Sequence, residues 1–281
     1  MVEQEQQNSE DQKHDVEQQE IEARSSPSGK VVYKTILKEG RDELERSSSA
    51  LFWSGLAAGL SMGFSLIAEG LLHAYLPDAP WRPLVAKFGY SIGFLIVILG
   101  RQQLFTENTL TPILPLLQRP DAATFFNVLR LWVIVLIANL LGALAIALVL
   151  AKTNAFDPHI QTAFSEIGRK AMENGFLTTL LRGIFAGWLI ALMVWLLPFA
   201  EAARVWVIIF ITYIVGLGQF SHIIAGAVEV FTVAARGETA WLTALGSYLL
   251  PTLIGNIIGG VTLVAALNHA QAVSGEEGMD I

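Results

Sequence analysis

Gly218-Gln219-Phe220-Ser221-His222-Ile223-Ile224-Ala225-Gly226 sits at the centre of an apolar run from about Val205 to about Ala235. A helix of roughly 20 apolar residues crosses a bilayer, so the run is long enough to span one. Helix-weakening glycines bracket an amide, a hydroxyl and an imidazole near the depth of the midplane. A spanning helix gives up its regular hydrogen bonds there only where protein or a water-filled cavity covers the break. An ionisable side chain at that depth marks a functional site by default. His222 is therefore the candidate centre of a permeation pathway.

A second run, about Leu84 to Leu117, is too long for one straight span and is interrupted in the same manner. Its middle reads Gly100-Arg101-Gln102-Gln103-Leu104-Phe105-Thr106-Glu107-Asn108, and Pro112 and Pro115 constrain the continuation of the chain. This predicts a discontinuous helix with a loop at its break. Four uninterrupted runs complete the set: about Ala50 to Ala74, Phe125 to Leu150, Phe176 to Leu197 and Leu242 to Ala266. The first carries Gly55, Gly59 and Gly63, the fourth span Gly183 and Gly187, and the last Gly255 and Gly259. Four-residue spacing puts these small residues on one helix face, which predicts close packing and not pore lining. Glu69 is expected to be an interfacial carboxylate, and Lys152 to Asn174 a loop. His14, His73, His159 and His269 are expected to be solvated residues in tails or interfaces.

The six spans fall into two sets of three. Spans one and four share small-residue stripes, and spans two and five are long and broken. Spans three and six share a small-Asn-aliphatic-aliphatic-Gly-small pattern, Ala138-Asn139-Leu140-Leu141-Gly142-Ala143 against Gly255-Asn256-Ile257-Ile258-Gly259-Gly260. The breaks align as Phe105-Thr106-Glu107 against Phe220-Ser221-His222. Three spans per half make the second half enter the bilayer from the opposite side. Paired interrupted helices in such inverted repeats point to a transport site. The predicted fold class is an all-α integral membrane protein: six transmembrane helices as two inverted three-helix repeats, with helices 2 and 5 broken.

Composition agrees. Of 281 residues, 53% are hydrophobic and 15% charged, against roughly 25% charged in soluble domains. The formal charge of −7 comes largely from the ends, and nothing is basic enough to propose nucleic acid. The absence of cysteine excludes disulfides and thiolate metal sites, and no histidine spacing suggests another metal site. The N-terminus has no apolar core of a signal peptide, so no cleaved signal is expected. Residues 1–30 read as a disordered acidic tail, 31–48 as an amphipathic helix at the membrane surface, 50–268 as the six-helix channel domain and 269–281 as a short acidic tail. Lys34, Lys38, Arg41, Arg46, Arg119 and Arg204 narrowly outnumber the basic residues on the opposite side. With an even span count, the positive-inside rule puts both termini in the cytoplasm.

Over about Ala50 to Ala266 the chain resembles the formate/nitrite transporter family. The resemblance rests on Leu104-Phe105-Thr106 with Asn108 in the first break, His222 in the second, and Gly255-Asn256-Ile257-Ile258-Gly259-Gly260 in the last span. It implies a homopentamer of the bacterial inner membrane, an aquaporin-like outline, and a pore in each protomer for a small monovalent anion or its weak acid. No cofactor is implied. Leu104 and Phe105 then resemble part of one hydrophobic constriction, and Phe94 and Tyr90 part of the other. Val215 occupies a position the family often fills with Phe. Thr106 looks like the hydroxyl of the central loop, and Asn256 like the amide that holds the central His. Several positions depart from the family pattern. Small-small-Glu is replaced by Arg101-Gln102-Gln103, and a small residue by Glu107. Gly226 stands where an Asn is usual, and Ala171, beside Lys170, where a Lys is usual. The match therefore resembles an atypical branch.

The expected permeants are of the formate, nitrite, acetate or hydrosulfide class. Burying such an anion faces an idealised Born cost of order 20 kcal/mol. The positive end of a half-helix after each break would lower it. So would a proton, and an imidazole titrates near pH 6.5 when unperturbed. Arg101 and Glu107 either pair across the break or select by charge. A neutral small-solute channel and a non-conducting scaffold or sensor are the alternatives. A hydrolase built on Ser221 and His222 is disfavoured, because adjacent residues rarely face each other and no orienting carboxylate is evident.

Overall fold

The computed structural model describes residues 28–271, so residues 1–27 and 272–281, which carry most of the two acidic tails, lie outside it. Five helices are long and apolar enough to cross a membrane: α2 (Ser48–Tyr75), α3 (Arg82–Leu99), α5 (Ala122–Lys152), α7 (Phe176–Phe199) and α10 (Trp241–Gln271). Two shorter apolar helices, α8 (Arg204–Leu217) and α9 (Ile223–Ala235), flank the second break. Three further helices are α1 (Gly29–Glu45), α4 (Ile113–Gln118) and α6 (Pro158–Ala171).

Side-chain caps start the long helices where the sequence supplies them. Ser47 accepts from the Ala50 N–H at 3.2 Å to open α2, and Asp121 accepts from the Thr124 N–H at 2.8 Å to open α5. The glycine stripes pack, as expected. A side chain on Gly59 would run into the Asn139 carbonyl of α5, and one on Gly187 into the Asn256 carbonyl of α10. Such close backbone approach is how apolar helices associate without a hydrophobic driving force.

α1 covers most of the stretch expected to be amphipathic, and its buried face is Tyr33, Ile36, Leu37 and Gly40, the i, i+3, i+4, i+7 stripe of an amphipathic helix. It is tied to the first break, because Gln103 Nε2 donates to Glu43 Oε2 at 2.7 Å.

The expected loop at Lys152 to Asn174 is instead largely the helix α6. Pro158 is pre-set for the first turn, and Ile160, Ala163, Phe164 and Ile167 form a buried stripe. The Phe164 ring lies against Gly70 of α2, where no side chain obstructs it. Glu69, near the end of α2, is not solvated. It is 3% exposed and pairs with Lys87 at 2.5 Å.

Candidate functional site: two helix breaks joined by an imidazole

The two breaks share one backbone path. Gly100 ends α3 and donates to the Ile96 carbonyl at 2.9 Å; Gly218 ends α8 and donates to Ile214 at 2.9 Å. Arg101 and Gln219 then both enter the left-handed region, with φ of 49° and 51°. A non-glycine residue held there stores strain, a common mark of functional sites. Gln102 donates back to Val97, and Phe220 to Val215, each at 3.0 Å.

Beyond these turns an asparagine clamps each chain. Asn139 of α5 accepts from the Phe105 N–H at 2.9 Å and donates to the carbonyls of Gln103 at 2.9 Å and Gly55 at 2.7 Å. Asn256 of α10 accepts from the Ile223 N–H at 2.9 Å and donates to Ser221 at 2.8 Å and Gly183 at 2.9 Å. Leu104 and His222 therefore occupy equivalent places. The sequence alignment of Phe105 with Phe220 is out of register, since the hydrogen bonds pair Phe105 with Ile223. Asn256 also does not hold the imidazole; it holds the backbone on either side of it.

His222 is fully buried and caps α9: its Nδ1 accepts from the N–H groups of Ile224 at 3.3 Å and Ala225 at 3.2 Å. With Nδ1 accepting, the ring proton belongs on Nε2, 2.8 Å from Thr106 Oγ1 in the other break. Phe94 meets the ring edge-on at 4.9 Å between centroids. Half-helix ends do not follow both breaks equally. α9 begins directly after His222, whereas Thr106 is followed by a short 3₁₀ turn, Glu107–Thr109, and Pro112 delays α4. The dipole argument applies at one break only.

Leu104, Phe105, Phe94, Tyr90 and Val215 are all buried. Tyr90 and Val215 line a cavity of about 200 Å³ between α6 and the second break; Phe94 and His222 lie outside its lining. Lys170 and Ala171, the positions counted for the family lysine, also line it. Arg101 and Glu107 form no ion pair. Arg101 is exposed and acts on Glu39, whereas Glu107 feels the carboxylates Glu43 and Glu39.

Several cavity residues were not picked out as site residues from the sequence: Lys87, Arg182, Glu229 and Tyr248, together with Glu69, which was read as an interfacial carboxylate. Glu229 had a signal, because a carboxylate inside an apolar run is rare. Tyr248 had none. It sits in a π-helical turn of α10, Ala244–Leu249, and its hydroxyl fills the space a side chain on Gly226 would take. Nor are His73 and His269 simply solvated: His73 pairs with Glu166 at 3.0 Å, and His269 with the Tyr33 hydroxyl at 2.7 Å, while His14 lies outside the described residues. Among the described residues no group of three or more His, Asp or Glu could hold a metal ion.

A family model described as formate/nitrite transporter matches residues 30–270. The chain belongs to the formate/nitrite transporter family. It is 42% identical over 241 residues to the inner membrane protein YfdC of Escherichia coli K12, covering 86% of this chain and 78% of that protein. A formate-nitrite transporter of Plasmodium knowlesi is 24% identical over 264 residues, covering 87% and 83%. Among solved structures, a pentameric formate channel with formate bound superposes with a TM-score of 0.68 at 20% identity, covering 80% of this chain and 98% of that one. An ion channel of the same family gives 0.73 at 19%, covering 85% and 98%. Family membership makes the protein a transmembrane transporter, and the all-helical membrane fold expected from the sequence is the family's fold.

Proposed function

We propose that the chain forms homopentamers in a bacterial inner membrane, both termini cytoplasmic. Each protomer would pass a small monovalent anion, or its weak acid, of the formate, nitrite, acetate or hydrosulfide class. The two halves act as an inverted repeat around one pore. The observation that carries this reading is the 2.8 Å contact between Thr106 and His222, which joins the two breaks inside an apolar enclosure.

The apolar rings come first in the energetics. Leu104 and Phe105 form one ring, and Tyr90, Phe94 and Val215 contribute to the other; each dewets and so raises the cost of a bare charge. His222 offsets that cost between them. Its Nε2–H is aimed at Thr106, so an arriving anion takes that hydrogen bond in place of the hydroxyl. Nδ1 is occupied by two backbone N–H groups, which leaves Nε2–H as the donor that holds the anion while a proton delivered by pore water neutralises it. The N-terminal end of α9 adds positive potential at the same point. Neutralised by a proton, the solute crosses the ring as the weak acid. Arg101 and Glu107, unpaired, bias charge at the opposite mouth, one attracting anions and the other repelling them.

Formate flux into liposomes containing the full chain tests the reading. Flux is expected to rise as pH falls, and His222→Ala to lose that dependence. Wild-type pH-dependent flux in His222→Ala overturns the role of the imidazole. Flux of neutral solutes with no pH dependence supports the neutral channel instead, and no flux of any solute supports a scaffold.

A further inference from the structure

The cavity beside the second break carries more charge than an anion pore requires. Glu69 is 3% exposed; Oε1 meets Lys87, and Oε2 is buried with no hydrogen-bond partner. Glu229, 8% exposed, faces the same cavity, and its carboxyl group has no hydrogen-bond or ion-pair partner among the described residues. The charges acting on it are Lys87 and Glu69. Two buried carboxyl groups thus share one ammonium.

The rim has the opposite imbalance. Lys170 is exposed and unpaired, and Arg182 makes only a 3.4 Å hydrogen bond to Gln219 Oε1. Glu166 is already engaged by His73. The cavity therefore offers spare acceptors within and spare donors at its mouth. Buried charges are tolerated only when paired, so a ligand that completes both sets is favoured over one that completes either. A lone carboxylate suits the rim and is repelled by the acids. A lone amine suits the acids and is repelled by the rim.

We infer that this cavity binds a small zwitterion, an amino-carboxylate of the size of glycine or β-alanine. Its ammonium sits against Glu69 and Glu229, and its carboxylate against Lys170 and Arg182. The volume of about 200 Å³ equals that of about seven waters at ~30 Å³ each, room enough for such a molecule. The inference deepens the proposed function, since the cavity abuts the break that holds His222.

Titration calorimetry on the purified full-length protein tests it, with glycine, β-alanine, acetate and methylammonium at one ionic strength. One of the two amino-carboxylates is expected to bind at least about tenfold more tightly than acetate or methylammonium, as for completed charge pairs. Glu229→Gln is expected to weaken that binding about tenfold and to narrow the gap to acetate. Lys170→Ala, on the exposed rim, is a second variant that leaves the buried cluster intact; it is expected to weaken both amino-carboxylate and acetate. Acetate binding as tightly as the amino-carboxylates overturns the inference. So does zwitterion binding unmoved by Glu229→Gln, or no binding of either amino-carboxylate. Formate flux measured on the same preparation separates the two readings: flux without zwitterion binding removes this inference and leaves the pore standing.

Discussion

Thr106 and His222 were legible in the sequence because polar groups at the centre of an apolar run need a reason to be there. The choice of Thr106 over Asn256 as the partner of the imidazole was not, since it depends on how two distant breaks meet. Thr106→Val keeps the shape and removes the acceptor, leaving Nε2–H buried without a partner. A hydrogen bond of this kind contributes about 1 kcal/mol, so stopped-flow formate uptake is expected to change several-fold, while the fold survives. Tyr248 shows the opposite limit of sequence reading. The gap at Gly226 reads as a missing asparagine, whereas the structure fills it with a hydroxyl delivered by a π-helical turn. Gly226→Ala therefore overpacks the site and is expected to cost about 1–3 kcal/mol, read as a lower melting temperature. Combining it with Tyr248→Ala is expected to recover part of that loss, because the two side chains compete for one space. Purely additive losses would contradict this contact.

Among the helices, span positions were readable from hydropathy, and glycine spacing correctly named the packing faces. α6 was missed because its mean polarity hid a four-residue stripe that becomes visible once the helical period is imposed. The break register was missed because side-chain likeness, Phe to Phe, outweighed the backbone; the asparagine clamps set it instead. α1 illustrates how an outer helix reads the pore. Burial raises the Glu43 carboxyl above 4.5, opposed by Arg46 and by the hydrogen bonds from Arg46 and Gln103. Burial likewise raises Glu39, opposed by Arg101. A carboxyl raised on folding favours the docked helix fully below the ordinary carboxylate range, and that contribution is lost as pH rises through the raised value. Amide exchange of α1, corrected for its intrinsic rate, is expected to be slower at about pH 5 than at about pH 8 relative to α2. Glu43→Gln is expected to flatten the difference. Protection that instead grows toward high pH would reverse the assigned sign.

At the scale of the whole molecule, large apolar side chains such as Trp53, Phe126, Leu177 and Leu242 stand exposed around the outside. Patches of this kind belong against lipid or against a second copy. Native mass spectrometry of the purified full chain is expected to show a five-subunit species, and a monomer that still transports formate would separate pore from assembly. The paired asparagine clamps build the two halves alike, yet Leu104 occupies one clamp and His222 the other. A two-fold skeleton thus carries a one-sided filling: a solute would meet an apolar ring from either face, but only one of the two clamps holds an imidazole behind it. Such a passage can rectify. Influx and efflux under equal and opposite steep gradients need not match, while detailed balance still makes them equal when the gradient vanishes.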